Sequence, residues 1–161
     1  PVATDWINGR RTPDANHELK AAFMGLNLGT DAIKIFKMIV EATAFGSKAI
    51  VDRFISEGVP IKQVIAIGGV AKKSPFIMQT LANVLNKTIK VAKSEQAPAL
   101  GAAIYAAVAA GIYPNVIEAS KKMGSDFESI YFPQLDQVMA YNKLFVAYEQ
   151  LSAFADPTIK K

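Results

Sequence analysis

The chain has no cysteine, and His17 is its only histidine in 161 residues. Without cysteine there are no disulfides, thiolate nucleophiles or thiolate metal sites, a composition compatible with a reducing cytoplasm. With one histidine, in a polar N-terminal stretch where it reads as a solvated loop residue, a histidine-based triad or metal centre is not expected. Long apolar runs are missing as well. The most hydrophobic window, residues 97–111, is broken by Pro98 and Gly101 and falls short of the roughly 20 residues of a membrane span, so it reads as a buried helix and no membrane partner is expected. The first five residues show no export signal, and a cytoplasmic location is expected. Clustered charge of either sign is also scarce. The net charge is +4, but the cations come singly or in pairs (Arg10-Arg11, Lys72-Lys73, Lys121-Lys122, Lys160-Lys161) without interleaved aromatics, so no nucleic-acid partner is expected. The carboxylates are scattered without Asp-x-Asp spacing, and neither a metal site nor a catalytic general base is assigned.

What is present is apolar residue in quantity, 51% of the chain, enough for one domain with a substantial core. Residues 1–18 carry the turn formers Asn8-Gly9 and Pro13-Asp14 and read as an irregular loop. Residues 19–133 read as an α/β core. Strands are expected at 20–28, 63–67, 88–92 and 128–132, and helices at 31–56 with Thr30 as N-cap, at 74–85, at 98–110 and from Pro114 to Met123. The alternation predicts a largely parallel sheet. Ile33, Phe36, Ile39, Val40, Thr43, Gly46, Ile50 and Phe54 recur at helical spacing in the first helix. Glu41, the one carboxylate in that stretch, reads as a paired structural residue. Residues 134–155 form a C-terminal amphipathic helix with a stripe of Leu135, Val138, Tyr141, Phe145, Tyr148 and Leu151, a core face or lobe contact.

Chemistry concentrates at Val64 to Ser74. A β-branched run meets Gly68 and Gly69, which lack Cβ atoms and let a ligand approach the backbone, and Ser74-Pro75 then opens a helix whose free N-H groups favour an anionic or polar ligand. Lys72 and Lys73 add mobile positive donors suited to phosphate. A strand-to-helix turn that needs glycine on steric grounds alone is the alternative. Downstream, Gly101 among small residues reads as a close-packing position.

The segment Ile67 to Ala71 resembles the adenosine motif of the actin, sugar-kinase and heat-shock-chaperone ATPase superfamily. Gly25-Leu26 through Glu41-Ala42 is similar to the second signature of the FGGY family of carbohydrate kinases, with Lys34, Met38 and Ile39 departing from its commonest residues. Asp5 through Asn16, Gly68 through Lys87 and Ala99 through Gly111 extend the resemblance to that family over most of the chain. Xylulokinases of the family share Gly9-x-Arg11-Thr12-Pro13 but typically have Glu in place of Arg10. The resemblance implies an actin-like (ribonuclease H-like) second lobe, incomplete at its N-terminus. Residues 1–161 would then be the C-terminal lobe of a longer two-lobed enzyme whose sugar site and catalytic aspartate lie mainly in the N-terminal lobe. It implies ATP or ADP with Mg²⁺ as cofactor, a ketopentose as substrate, and the N-terminal lobe of the same polypeptide as partner. Self-association through an exposed apolar lobe face is a further expectation. Gly68, Gly69, Lys72 and Lys73 carry the nucleotide-binding expectation; the family often has Asn at the position of Lys73. An isolated lobe would not phosphorylate sugar. Two other classes keep the same motif: an actin-like or chaperone-like ATPase lobe without sugar chemistry, and an interaction domain whose glycines are structural.

Overall fold

The computed structural model describes residues 1–156 and Thr158, so the Lys160-Lys161 pair lies outside it. In chain order the elements are β1 (Val2–Ala3), β2 (Phe23–Met24), α1 (Ala32–Ser56), β3 (Val64–Ala66), α2 (Gly69–Lys73), α3 (Pro75–Leu85), β4 (Ile89–Ala92), α4 (Ala97–Ala109), α5 (Val116–Met123), β5 (Phe127–Tyr131) and α6 (Leu135–Ala155). The α/β alternation is as expected. The sheet is mixed: β3 and β4 pair in parallel, β4 and β5 antiparallel, and β1 and β2 form a separate two-residue ladder. The expectation of a largely parallel sheet is corrected here. Two helices, α4 and α5, follow β4, so the chain returns to the end of β4 that it left, where the Lys93 amide donates to the Asp126 carbonyl at 2.8 Å. β5 must then run back along β4.

Local sequence explains most helix boundaries. Ser74 caps α3 by accepting from the Ile77 amide, and Pro75 occupies the first turn, where its missing N-H costs no hydrogen bond. Asn86 ends α3 in the left-handed region at φ 48°, a conformation asparagine tolerates. The expected Thr30 cap is replaced by Asp31, whose carboxylate accepts from the Lys34 amide at 2.8 Å, while Thr30 Oγ1 accepts from the Asn27 amide one turn earlier. The strand expected over 20–28 shrinks to Phe23–Met24, since Gly25 adopts φ +78° and only β1 pairs with it.

Among the described residues three clusters make the core, the smallest of them Ala3, Met38 and Ala42. Val2, Ala44, Phe45, Val84, Tyr141, Tyr148 and Leu151 meet where β1, α1, α3 and α6 converge. Ala71, Met78, Ala82, Leu85, Ile89 and Val91 pack α2 and α3 onto the sheet. Phe45 sits at the junction, its ring 5.5 Å from Tyr148 and 5.8 Å from Phe145. The buried residues of α1 are Met38, Val40, Glu41, Ala42, Ala44, Phe45 and Gly46, so Val40 and Gly46 of the expected stripe are buried and Ile39 and Ile50 half-buried. Ile33, Phe36 and Phe54 are exposed because the packing against α3 and β1 covers the middle of the helix and leaves both ends uncovered, and Thr43 lies on its outward side. In α6 the expected stripe is buried or half-buried except for Leu135, which is exposed at the helix start.

Residues 1–18 are mostly irregular in path but not solvated throughout. Val2, Ala3, Thr4 and Trp6 are buried, and Thr4 closes a backbone and side-chain exchange with Ala22. His17 is exposed, as expected. The 97–111 window forms a helix but not a buried one. Among the described residues α4 packs chiefly on α5 and buries only Ile104 and Ala107, while Tyr105 is 66% exposed. Its alanines make it helical by propensity without requiring burial.

Candidate functional site

The glycine turn leaves the C-terminal end of β3 and enters α2. Gly68 has φ 90° and ψ 175°, a region essentially restricted to glycine, so the backbone itself requires glycine there. Gly69 differs. Its φ lies outside the left-handed region, and a Cβ built on it meets no atom within 4 Å. Neither conformation nor packing among the described residues calls for glycine at 69, and its bare backbone faces open space. Exposed Ile65, Ile67 and Val70 flank the turn. A methyl group placed on Gly101 in α4 likewise meets no neighbour within 4 Å, which removes the close-packing role expected for it.

The four residues singled out in the sequence are brought together in one turn and one short helix, but the two lysines differ in their surroundings. Lys73 is exposed. Lys72 is engaged: its ammonium donates to the Lys93 carbonyl at 2.8 Å and pairs with Glu128 at 3.2 Å and Glu95 at 4.0 Å. These partners come from the β4–α4 connection and from β5, and no local spacing in the sequence points to them.

Sequence reasoning also missed a second region. A cleft of about 380 Å³ is lined by the 5–14 loop, the C-terminal half of α1 and Tyr148 and Glu149 of α6. It shares no residue with the glycine turn. At its wall the Tyr148 hydroxyl donates to Asp5 Oδ1 at 2.9 Å, and burial pushes the Asp5 carboxyl above its ordinary range against the opposing pull of that hydrogen bond. Tyr148 itself is pushed up, by burial first and the Asp5 charge second. Arg10 lies over the Trp6 ring, 5.4 Å from its centroid, and pairs with Asp156 at 2.6 Å. The Thr158 hydroxyl, more than Arg10, holds the Asp156 carboxyl below the usual carboxylate range, against the effect of burial. Tryptophan and arginine in a turn-rich segment were the available signal, but Tyr148 and Asp156, which Asp5 and Arg10 engage, lie more than 130 residues away.

Glu41 is the paired structural carboxylate expected. It is buried, accepts from the Tyr141 hydroxyl at 3.1 Å and lies 3.5 Å from the Lys37 ammonium. Burial, then the Glu41 charge, pushes the Tyr141 phenol up to about 12.

A strand delivers an open glycine turn into a short helix at one end of a mixed sheet covered by α3, and this arrangement defines an α/β lobe. The profile of the FGGY family of carbohydrate kinases, C-terminal domain, matches residues 1–110, and the chain belongs to that family. Its relatives include a ribulokinase from Vibrio parahaemolyticus, 48% identical over 96% of this chain, and a ribulokinase from Halalkalibacterium halodurans, 42% identical over 93% of it. The chain spans 28% and 27% of the length of these two relatives. Among solved structures it resembles a gluconate kinase from Lactobacillus acidophilus (TM-score 0.85, 24% identity, 96% of this chain and 31% of that one). It also resembles a xylulose kinase from the same organism (TM-score 0.84, 24% identity, 93% and 30%) and a Plasmodium falciparum glycerol kinase with ADP (TM-score 0.72, 22% identity, 92% and 30%). These likenesses carry the actin-like ATPase fold of sugar kinases.

Proposed function

We propose that this chain is the nucleotide-side lobe of an ATP-dependent kinase that phosphorylates a ketopentose, ribulose before other sugars, in cytoplasmic pentose (arabinose) breakdown. The observation that carries the reading is Gly69, a glycine that the fold does not need and that leaves the backbone open to a ligand. The turn at Gly68 and Gly69 would receive the adenosine side of the nucleotide, with Lys73 as a mobile cation at its edge. The ribulokinase relatives support the sugar class, and the ADP in the glycerol kinase neighbour supports the nucleotide.

The reaction moves the γ-phosphoryl group of ATP to a sugar hydroxyl. Its barrier falls through positioning, charge stabilisation and removal of the hydroxyl proton. This chain would contribute the positioning of the nucleotide. The Mg²⁺ that accompanies ATP would be held mainly by the nucleotide's own phosphates. The catalytic carboxylate and the sugar site are assigned to the N-terminal lobe, whose closure would exclude water.

Titrating Mg-ADP into the ¹⁵N-labelled chain tests the nucleotide half. Shifts confined to the amides of 68–74 support it, and a full-length polypeptide that shows none there overturns it. Ketopentose-dependent ADP formation by the full-length polypeptide tests the sugar half and would dismiss an actin-like or chaperone-like ATPase. The xylulose kinase likeness favours xylulose as the second reading, decided by comparing kcat/KM for the two ketopentoses.

A further inference from the structure

The Lys72 side chain crosses from the end of α2 to two other parts of the lobe. Its stem is largely covered, with 20% of the side chain exposed, and its ammonium reaches the Lys93 carbonyl, Glu128 on β5 and Glu95 just before α4. The strand end it meets is already pinned from the other side: the Lys93 amide donates to the Asp126 carbonyl at 2.8 Å, and the Ser94 amide donates to Ser125 Oγ at 3.3 Å. Lys72 therefore ties the helix that follows the glycine turn to a segment whose own position is set by β5. A donor shared between a carbonyl and a carboxylate in a half-covered setting is costly to redirect, since both acceptors would lose a charge-assisted partner.

We propose that Lys72 is a positioning residue for the nucleotide rather than a phosphate ligand: it fixes where the Gly68–Gly69 backbone is presented by bracing α2 against the β4–α4 connection and β5. The proposal rests on the nucleotide reading above. The two roles predict different chemistry. A brace acts on the turn's backbone, so its loss weakens adenosine, ADP and ATP by the same factor. A phosphate ligand interacts with charge, so its loss grows with each phosphate and leaves adenosine unaffected.

The test compares wild type, Lys72→Met, Lys72→Arg, Glu128→Gln and Lys72→Met/Glu128→Gln in the full-length polypeptide, measuring dissociation constants for adenosine, ADP and ATP. The brace predicts a loss of about threefold to tenfold in Lys72→Met, equal for all three ligands. Glu128→Gln should lose affinity in the same direction, the double variant should lose no more than Lys72→Met, and Lys72→Arg should recover most of the affinity. A loss graded by phosphate number, with Glu128→Gln silent, overturns it. Amide hydrogen exchange without nucleotide supplies an independent arm. Faster exchange at 69–73 and 93–96 in Lys72→Met supports the brace, and unchanged exchange there overturns it. Should wild type bind no nucleotide at 68–74, the functional reading falls while the exchange comparison still decides whether Lys72 braces the turn.

Discussion

Gly46 and Asp5 occupy the same space: a methyl group on Gly46 would lie within 2.6 Å of the Asp5 carboxyl carbon and closer still to Oδ2. The carboxylate rests flat on helix α1 because residue 46 has no side chain, and that contact seats the 5–14 loop on the helix. Gly46→Ala should therefore destabilise the chain by about 1–3 kcal/mol, the usual cost of overpacking, even though alanine is the better helix former. In Asp5→Ala/Gly46→Ala the clash is gone, and urea titrations should show that the second substitution adds much less than its single-variant cost. Additive costs would sink this account.

Burial raises the Asp5 carboxyl above its unfolded value, which sets the sign of its pH effect. The folded state holds the proton more tightly than the unfolded state, so Asp5 favours folding at acid pH, and that contribution is lost as the pH rises through the folded-state value. Asp5→Asn keeps an acceptor for the Tyr148 hydroxyl and removes the charge. Its melting temperature should match wild type at low pH and exceed it at neutral pH. Thermal melts from pH 3 to 7 check this.

Gly68 and Gly69 should part company. Gly68→Ala forces a Cβ into a glycine-only region and should cost about 1–3 kcal/mol of stability. Gly69→Ala meets open space at an allowed backbone angle and should raise stability by about 0.4–1 kcal/mol by restricting the unfolded chain. In the full-length polypeptide the same Gly69→Ala should raise the KM for ATP and leave that for the sugar unchanged. A stabilised variant that binds nucleotide normally would show that the opening at 69 is unused.

Asn83 is buried in α3 and binds the start of α6 from both ends of its amide: Oδ1 accepts from the Gln134 amide at 2.8 Å and Nδ2 donates to Gln134 Oε1 at 3.3 Å. Asn83→Leu leaves that backbone donor without an acceptor, and denaturation should show a loss of about 1–3 kcal/mol, more than Asn83→Asp, which retains the acceptor.

How legible each feature was depended on how far away its cause lay. Ser74-Pro75 announced the start of α3 because a cap is a contact between neighbours, and Tyr141, Tyr148 and Leu151 marked the core face of α6 because periodicity is local. Thr30 was the expected cap, but its hydroxyl is taken by the Asn27 amide and Asp31 caps the helix instead. The burial of Trp6 and Thr4 was hidden, since an irregular segment carries no periodicity to mark a covered side. The direction of β5 was hidden too, because alternation reveals a strand but not which way it runs. At the glycine turn the residues were readable in sequence and their roles were not. Only the folded chain separates a conformational requirement at Gly68 from an open backbone at Gly69, or sends Lys72 to Glu128 while Lys73 stays exposed.

The helix pair α4 and α5 is joined to the rest by its two connections and by little buried surface. Its opening free energy should therefore lie well below that of the Phe45 core, making it a separate cooperative unit. In the 161-residue chain the lobe would then unfold in two stages. Amides of 100–109 would exchange through a sub-global opening that denaturant barely affects, while those of α1 and α6 would wait for the whole structure to come apart.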